Sequence, residues 1–99
     1  MQSFSEIIKS DTPVLVDFYA DWCGPCKAMT PVIKEVAQAV QGQAKVLKVN
    51  IDQSQAAAQA YQVQAVPTFI IFKNGKIAWR HSGMIDKNSL VNQLRQAAG

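Results

Sequence analysis

Histidine and cysteine are scarce in this 99-residue chain, which has one His and two Cys. A structural zinc centre takes four nitrogen or sulfur donors, so a zinc or iron–sulfur site would have to be completed from scattered carboxylates. Long apolar runs are missing too. No stretch approaches the ~18 residues that a transmembrane helix needs, and the opening MQSFSEIIKSD has neither the basic n-region nor the apolar h-region of a secretory signal. Charged residues make up 17% of the chain, ten Lys and Arg against seven Asp and Glu, for a net charge of +3. The basic residues are scattered, whereas a nucleic-acid surface gathers them on one face or stripe; no nucleic-acid partner is expected. Repeats, linkers and low-complexity segments are also lacking. What remains is 48% hydrophobic, enough for one core and too short for two. Residues 1–99 are therefore expected to form a single domain in the cytosol with no membrane contact, although a form whose leader had been removed would read the same way.

Along the chain, Ser3-Phe4-Ser5-Glu6 has the spacing of a capping box, with a short helix over about 3–10. Pro13 ends any helical path, and Val14 to Ala20 reads as a buried strand. From Cys23 the period becomes helical: Cys26, Met29, Thr30, Ile33, Val36, Ala37 and Val40 share one face, and Gly42 is placed to end the helix. Lys45 to Ile51 is a second strand. Strand, helix and strand make a βαβ unit, which requires parallel pairing and a right-handed crossover. Ser54 is positioned to cap a short alanine-rich helix to about Tyr61. Thr68–Phe72 and Lys76–His81 flank Asn74-Gly75, the chemistry of a type I′ hairpin. Asp86 is positioned to cap a final helix with the stripe Leu90, Val91, Leu94 and Ala98. The expected fold class is α/β, a mixed sheet of four strands with helices on both faces.

Cys23 and Cys26 have three possible roles: a structural staple, half of a metal site, or a reversible redox couple. A staple is disfavoured because cytosolic thiols are kept reduced and so short a loop constrains the unfolded chain least. A metal site lacks ligands, His81 being the single imidazole; no metal is expected. For the redox couple, Cys23 falls at a strand end and a helix start, where unpaired N–H groups and the macrodipole favour a thiolate. There a thiol pKa drops from ~8.5 into the range of about 3.5–7.5. Cys26, nearly one turn later, heads the apolar stripe and is expected to face inward. That asymmetry suits an exposed Cys23 nucleophile and a resolving Cys26. Pro25 fits the first helical turn, and Gly24 leaves room for a substrate backbone. Asp17, mid-strand between Val16 and Phe18, is either a hydrogen-bonded structural acid or the group that takes a proton from Cys26, its pKa raised by burial. Lys48 in the next strand is either the partner of Asp17 or a snorkelling surface lysine.

The stretch Val16-Asp17-Phe18-Tyr19-Ala20-Asp21-Trp22-Cys23-Gly24-Pro25-Cys26-Lys27, with Pro31, Lys48-Val49-Asn50-Ile51-Asp52, Val66-Pro67-Thr68, Lys73-Asn74-Gly75 and Gly83, resembles the thioredoxin family over nearly the whole chain. The resemblance implies a thioredoxin fold and a thiol–disulfide oxidoreductase that reduces protein disulfides. It implies no bound cofactor. A redox-active Cys23–Cys26 disulfide would be recharged from NADPH by a flavoprotein thioredoxin reductase. It further implies a cis Pro67 packed against that disulfide, and a Val66 backbone offered to an extended client. The apolar client-docking surface it implies comprises Trp22, Gly24, Pro25, Ile51, Val66, Pro67 and Gly83. Pro31 is expected to kink the helix. Gly-Pro between the cysteines, where oxidising and isomerising relatives carry histidine, points to a reductant.

Three features depart from the family pattern. The usual N-terminal edge strand is lacking, which leaves the strand at 45–51 exposed, with self-association as one consequence; a monomer is the expectation. Tyr19 replaces a common tryptophan. Trp79, Arg80, His81 and Met84 make the region around Gly83 bulkier and more basic, with packing, client contact and redox tuning as competing roles. Besides the reductant, two other readings fit less of the sequence: a scaffold that tethers a partner enzyme, and an oxidant in a periplasm-like compartment.

Overall fold

The computed structural model describes residues 3–99; the first two lie outside the described residues. Ser3 is the N-cap of α1 (Phe4–Ile7), and its hydroxyl accepts from Glu6 N at 3.3 Å. The return half of the capping box differs from expectation, because the Glu6 carboxylate accepts from the Ser3 hydroxyl at 3.0 Å. The helix is shorter than 3–10 and contains no fully buried residue.

Three further helices and four strands follow: β1 (Val14–Tyr19), α2 (Gly24–Ala39), β2 (Lys45–Asn50), α3 (Gln55–Ala60), β3 (Thr68–Lys73), β4 (Lys76–Ser82) and α4 (Lys87–Ala98). The sheet order is β2-β1-β3-β4, with β1 and β2 parallel and the other pairs antiparallel. This is the expected α/β thioredoxin fold, a mixed four-stranded sheet with helices on both faces. Among the described residues no strand precedes α1, and β2 is an edge.

Strand alternation divides the core. Val14, Val16 and Phe18 face α1 and α3, joined by Ile70, Phe72 and Ile8, with Phe4 and Tyr61 packed on them. Leu15 on the opposite face joins Phe69 and Ile71 beneath α2 and α4, meeting Met29, Ile33, Val36, Leu90 and Leu94. Each such side chain, fully buried, contributes about 1.5–3 kcal/mol. The same parity places Asp17, two residues beyond Leu15, on the α2 face. In β2, Val46 packs with the α2 layer and Leu47 and Val49 with the other, so Lys48 also points to the α2 side.

Local chemistry sets the ends of these elements. Asp86 caps α4 by accepting from Ser89 N at 3.0 Å. Asn74 and Gly75 take φ of 56° and 79°, the left-handed pair that a type I′ turn needs. Two expectations need correcting. Ser54 is the N-cap of α3 but makes no side-chain cap bond; its N–H donates to Asn50 O at 2.9 Å at the end of β2. Ala98 is exposed, and Ala97, three residues after Leu94, completes the α4 stripe. Helix α2 runs through Pro31 without interruption. Trp79 packs against the α2/α4 layer and stacks on His81, centroids 5.9 Å apart and planes 4° apart. No helix among the described residues is long and apolar enough to cross a membrane.

Candidate functional site

The site forms where β1 passes into α2. Cys23 is the N-cap, extended at φ −91° and ψ 111°, and its Sγ accepts from Cys26 N at 3.1 Å. The sulfur thus occupies the place of a capping oxygen, beneath the unpaired N–H groups of the first turn. Cys23 and Cys26 are joined as a disulfide, with Cα atoms 5.3 Å apart. Pro25 lies in the first turn, where no N–H is required. A Cβ added at Gly24 would meet nothing within 4 Å, so the surface over this residue is open.

One expectation about the sulfurs is corrected. Cys23 is not the exposed member of the pair: it is 4% exposed and Cys26 7%. Both belong to a small apolar cluster with Ala20, flanked by Tyr19, Ile51 and Val66. Ile51 and Val66 arrive from loops distant in sequence, so periodicity along α2 alone could not show that they pack on the cysteine cluster.

The second half of the site is the loop before β3. The Val66–Pro67 peptide is cis. Thr68, fully buried, donates from Oγ1 to Ala65 O at 2.6 Å, and Gly83 N donates to Pro67 O at 2.8 Å. Gly83 has φ 98°, a conformation that other residues enter only with strain. These bonds fix the loop that carries Val66, which packs against the cysteine cluster. Trp22, next to Cys23 in the chain, is 69% exposed, its Nε1 donating to Asp52 Oδ2 at 3.0 Å.

The loop holding Asp52 is organised by a residue that the sequence reading left without a role. Asn50, buried at the end of β2, accepts at Oδ1 from Asp52 N (2.9 Å) and Gln53 N (3.4 Å), and donates from Nδ2 to Asp21 at 3.3 Å. Its one sequence signal was an asparagine at the end of an apolar strand, a position rich in turn formers.

Asp17, on the α2 face of β1, is buried, and its Oδ1 has no hydrogen-bond partner. Burial pushes its pKa from 3.8 up to about 6, with Lys48 pulling the other way. Lys48 is the register partner of Asp17 across β1 and β2. It acts on the carboxyl through space, its ammonium resting 4.5 Å from the centroid of the Tyr19 ring. Beside them opens a cleft of about 140 Å³ lined by Tyr19, Ala20, Asp21, Cys26, Lys27, Thr30 and Lys48. That volume admits water to the Cys26 side of the disulfide. His81 Nε2 lies 3.3 Å from Met84 O, on β4 and outside this cleft. Among the described residues no three His, Cys, Asp or Glu side chains converge on a possible metal position.

Comparison with known proteins agrees with this geometry. A family model described as Thioredoxin matches residues 1–96. The chain is 45% identical over 92 residues to "Thioredoxin" of Rickettsia conorii, covering 93% of this chain and 88% of that one. It is 39% identical over 99 residues to "Thioredoxin 1" of Chlorobaculum tepidum, covering 99% and 98%. It is 46% identical over 96 residues to "Thioredoxin Y, chloroplastic" of rice, Oryza sativa subsp. japonica, spanning 96% of this chain and 57% of that longer protein.

Proposed function

The chain belongs to the thioredoxin family and is a thiol–disulfide oxidoreductase; from that premise we propose that it reduces protein disulfides, with Cys23 as nucleophile and Cys26 as resolving thiol. In the reduced form the Cys23 thiolate attacks one sulfur of a client disulfide. The client S–S bond breaks, a mixed disulfide forms, and one client thiolate leaves. Cys26 then gives its proton to Asp17, directly or through water in the cleft, and attacks the Cys23 sulfur. The mixed disulfide breaks and the second client thiolate leaves. The client has gained two electrons, its thiolates take up protons from solvent, and the protein is left with the Cys23–Cys26 disulfide.

The observation that supports this assignment most directly is the Cys23 sulfur at the N-cap of α2, accepting from Cys26 N at 3.1 Å. Negative charge on that atom is met by the helix N-terminus, whereas Cys26 sits inside the first turn. Lys48 adjusts Asp17. Trp22, Gly24, Pro25, Ile51, Val66, Pro67 and Gly83 form the docking surface, and the Val66 backbone pairs with an extended client. Thioredoxin-family chemistry implies a reductase and disulfide-bearing substrates in general; the proposed electron source is NADPH through a flavoprotein thioredoxin reductase. We place the protein as a monomeric single domain, residues 1–99, in a reducing compartment, the cytosol. Relatives named as chloroplastic make fractionation the test of location.

Insulin-disulfide reduction with dithiothreitol or the reductase as electron source tests the activity. Turnover lost in Cys23→Ser is expected; no turnover in the parent would sink the reductant reading. The potential of the couple decides direction, since a value near ~−120 mV belongs to an oxidant.

A further inference from the structure

Tyr19 ends β1 at the reactive edge of the sheet, yet the exchange proposed above gives it no part. Its ring packs against the Ala20–Cys23–Cys26 cluster and walls the cleft beside Cys26. The face of the ring is covered by the Lys48 ammonium, 4.5 Å from the centroid. A lysine on an edge strand, on a stem of four flexible carbons, would otherwise extend into water. Attraction between the cation and the ring quadrupole opposes that, while Lys48 as a whole remains an exposed residue.

We propose that Tyr19 is a positioning residue whose ring holds the Lys48 ammonium in the cleft beside Asp17 and thereby sets the pH at which Asp17 can take the Cys26 proton. The proposal rests on the reading of Asp17 as proton acceptor. Besides Tyr19, the charged and titratable groups that line the cleft are Asp21, Cys26, Lys27 and Lys48; Asp17 is the register partner of Lys48 in the neighbouring strand. Asp21 is engaged by Asn50 Nδ2 at 3.3 Å. Lys48 is the cation that opposes the effect of burial on Asp17. With the ring removed, the ammonium moves out to solvent, and the carboxyl keeps its proton to higher pH.

The test is a carboxyl carbon NMR titration of Asp17 in the full oxidised chain, where neither sulfur titrates. Tyr19→Leu is expected to raise the midpoint by about half a pH unit, an about threefold change in proton affinity, whereas Tyr19→Phe keeps the parent value. On a Lys48→Met background, Tyr19→Leu should add nothing. An unmoved midpoint in Tyr19→Leu, or a shift that survives Lys48→Met, overturns the proposal. A second readout needs no variant: the Lys48 ε-methylene protons of the parent should resonate upfield through the ring current, and ordinary lysine shifts would refute the contact even if Tyr19→Leu did not fold. The acceptor reading fails separately. If Asp17→Asn resolves mixed disulfides at the parent rate while the midpoint still moves with Tyr19, the positioning stands and the catalytic reading of Asp17 falls.

Discussion

Replacing Asp17 by Asn should favour the oxidised protein more near neutral pH than in acid. The folded chain keeps the Asp17 proton up to about pH 6, whereas the group's ordinary value is 3.8. Between those values the folded state binds more protons than the unfolded one, so stability falls as pH rises. The favourable contribution is complete below 3.8 and lost above about 6. A difference of that size corresponds to about 3 kcal/mol at neutral pH, at 1.36 kcal/mol per unit. Asn has the same shape and no charge, but its amide inherits an environment in which Oδ1 has no partner. An unsatisfied neutral polar group costs about 1–3 kcal/mol at either pH, so a net gain of about 0–2 kcal/mol is expected near pH 7 and a loss of about 1–3 kcal/mol in acid. For a chain of this size each kcal/mol raises Tm by about 4–8 °C. Urea unfolding of both proteins at about pH 4 and pH 7 measures the difference directly. The size of the gain tests the packing of Asn, and its pH dependence tests the electrostatics. A gain equal at both pH values would refute the argument, because no charge would then be at issue. If Asp17 is the proton acceptor, the same substitution also slows resolution by Cys26 at neutral pH.

Cys26→Ser should still attack clients and accumulate Cys23 mixed disulfides, visible on non-reducing gels; a trap formed by Cys23→Ser instead would reverse the two roles. Leu90→Ala removes a fully buried side chain from the α2/α4 layer and should cost about 2–5 kcal/mol in denaturant unfolding. Hydrogen bonds from Ser89 hold the Asp86 carboxyl below its ordinary range, so its stabilising contribution is present above pH 3.8 and fades as pH falls through its lowered value. Asp86→Ala should therefore destabilise at neutral pH and do so less in strong acid, and equal losses in the two conditions would remove the charged cap.

Residues whose neighbours are local in sequence were legible from it. The period of α2 gave the buried face Cys26, Met29, Ile33, Val36 and Val40, and structure and sequence agree there. Asp86 and Asn74-Gly75 declared a cap and a turn because their chemistry acts within three residues. Ser54 holds the expected N-cap position, but its hydroxyl makes no cap bond; its backbone N–H is tied to the Asn50 carbonyl at the end of β2. The packing of Ile51 and Val66 on the cysteine cluster was not legible from periodicity, since they meet it only after the sheet has formed; family resemblance alone named them. The cis peptide at Val66–Pro67 was expected from family resemblance; a proline alone permits either isomer.

The placement of Lys48 follows from packing more than from electrostatics. Leu47 and Val49 pack on the α1/α3 face, and alternation then leaves residue 48 no direction but the α2 side. The parallel register sets it opposite Asp17. Turning β2 over to remove the lysine from the site would expose both apolar neighbours, each worth up to about 1.5–3 kcal/mol when fully buried. A cation beside Asp17 is thus enforced by the hydrophobic pattern of an edge strand. Whether that cation lies in the cleft or in solvent is left to the side chain it meets there, and in this chain that side chain is Tyr19.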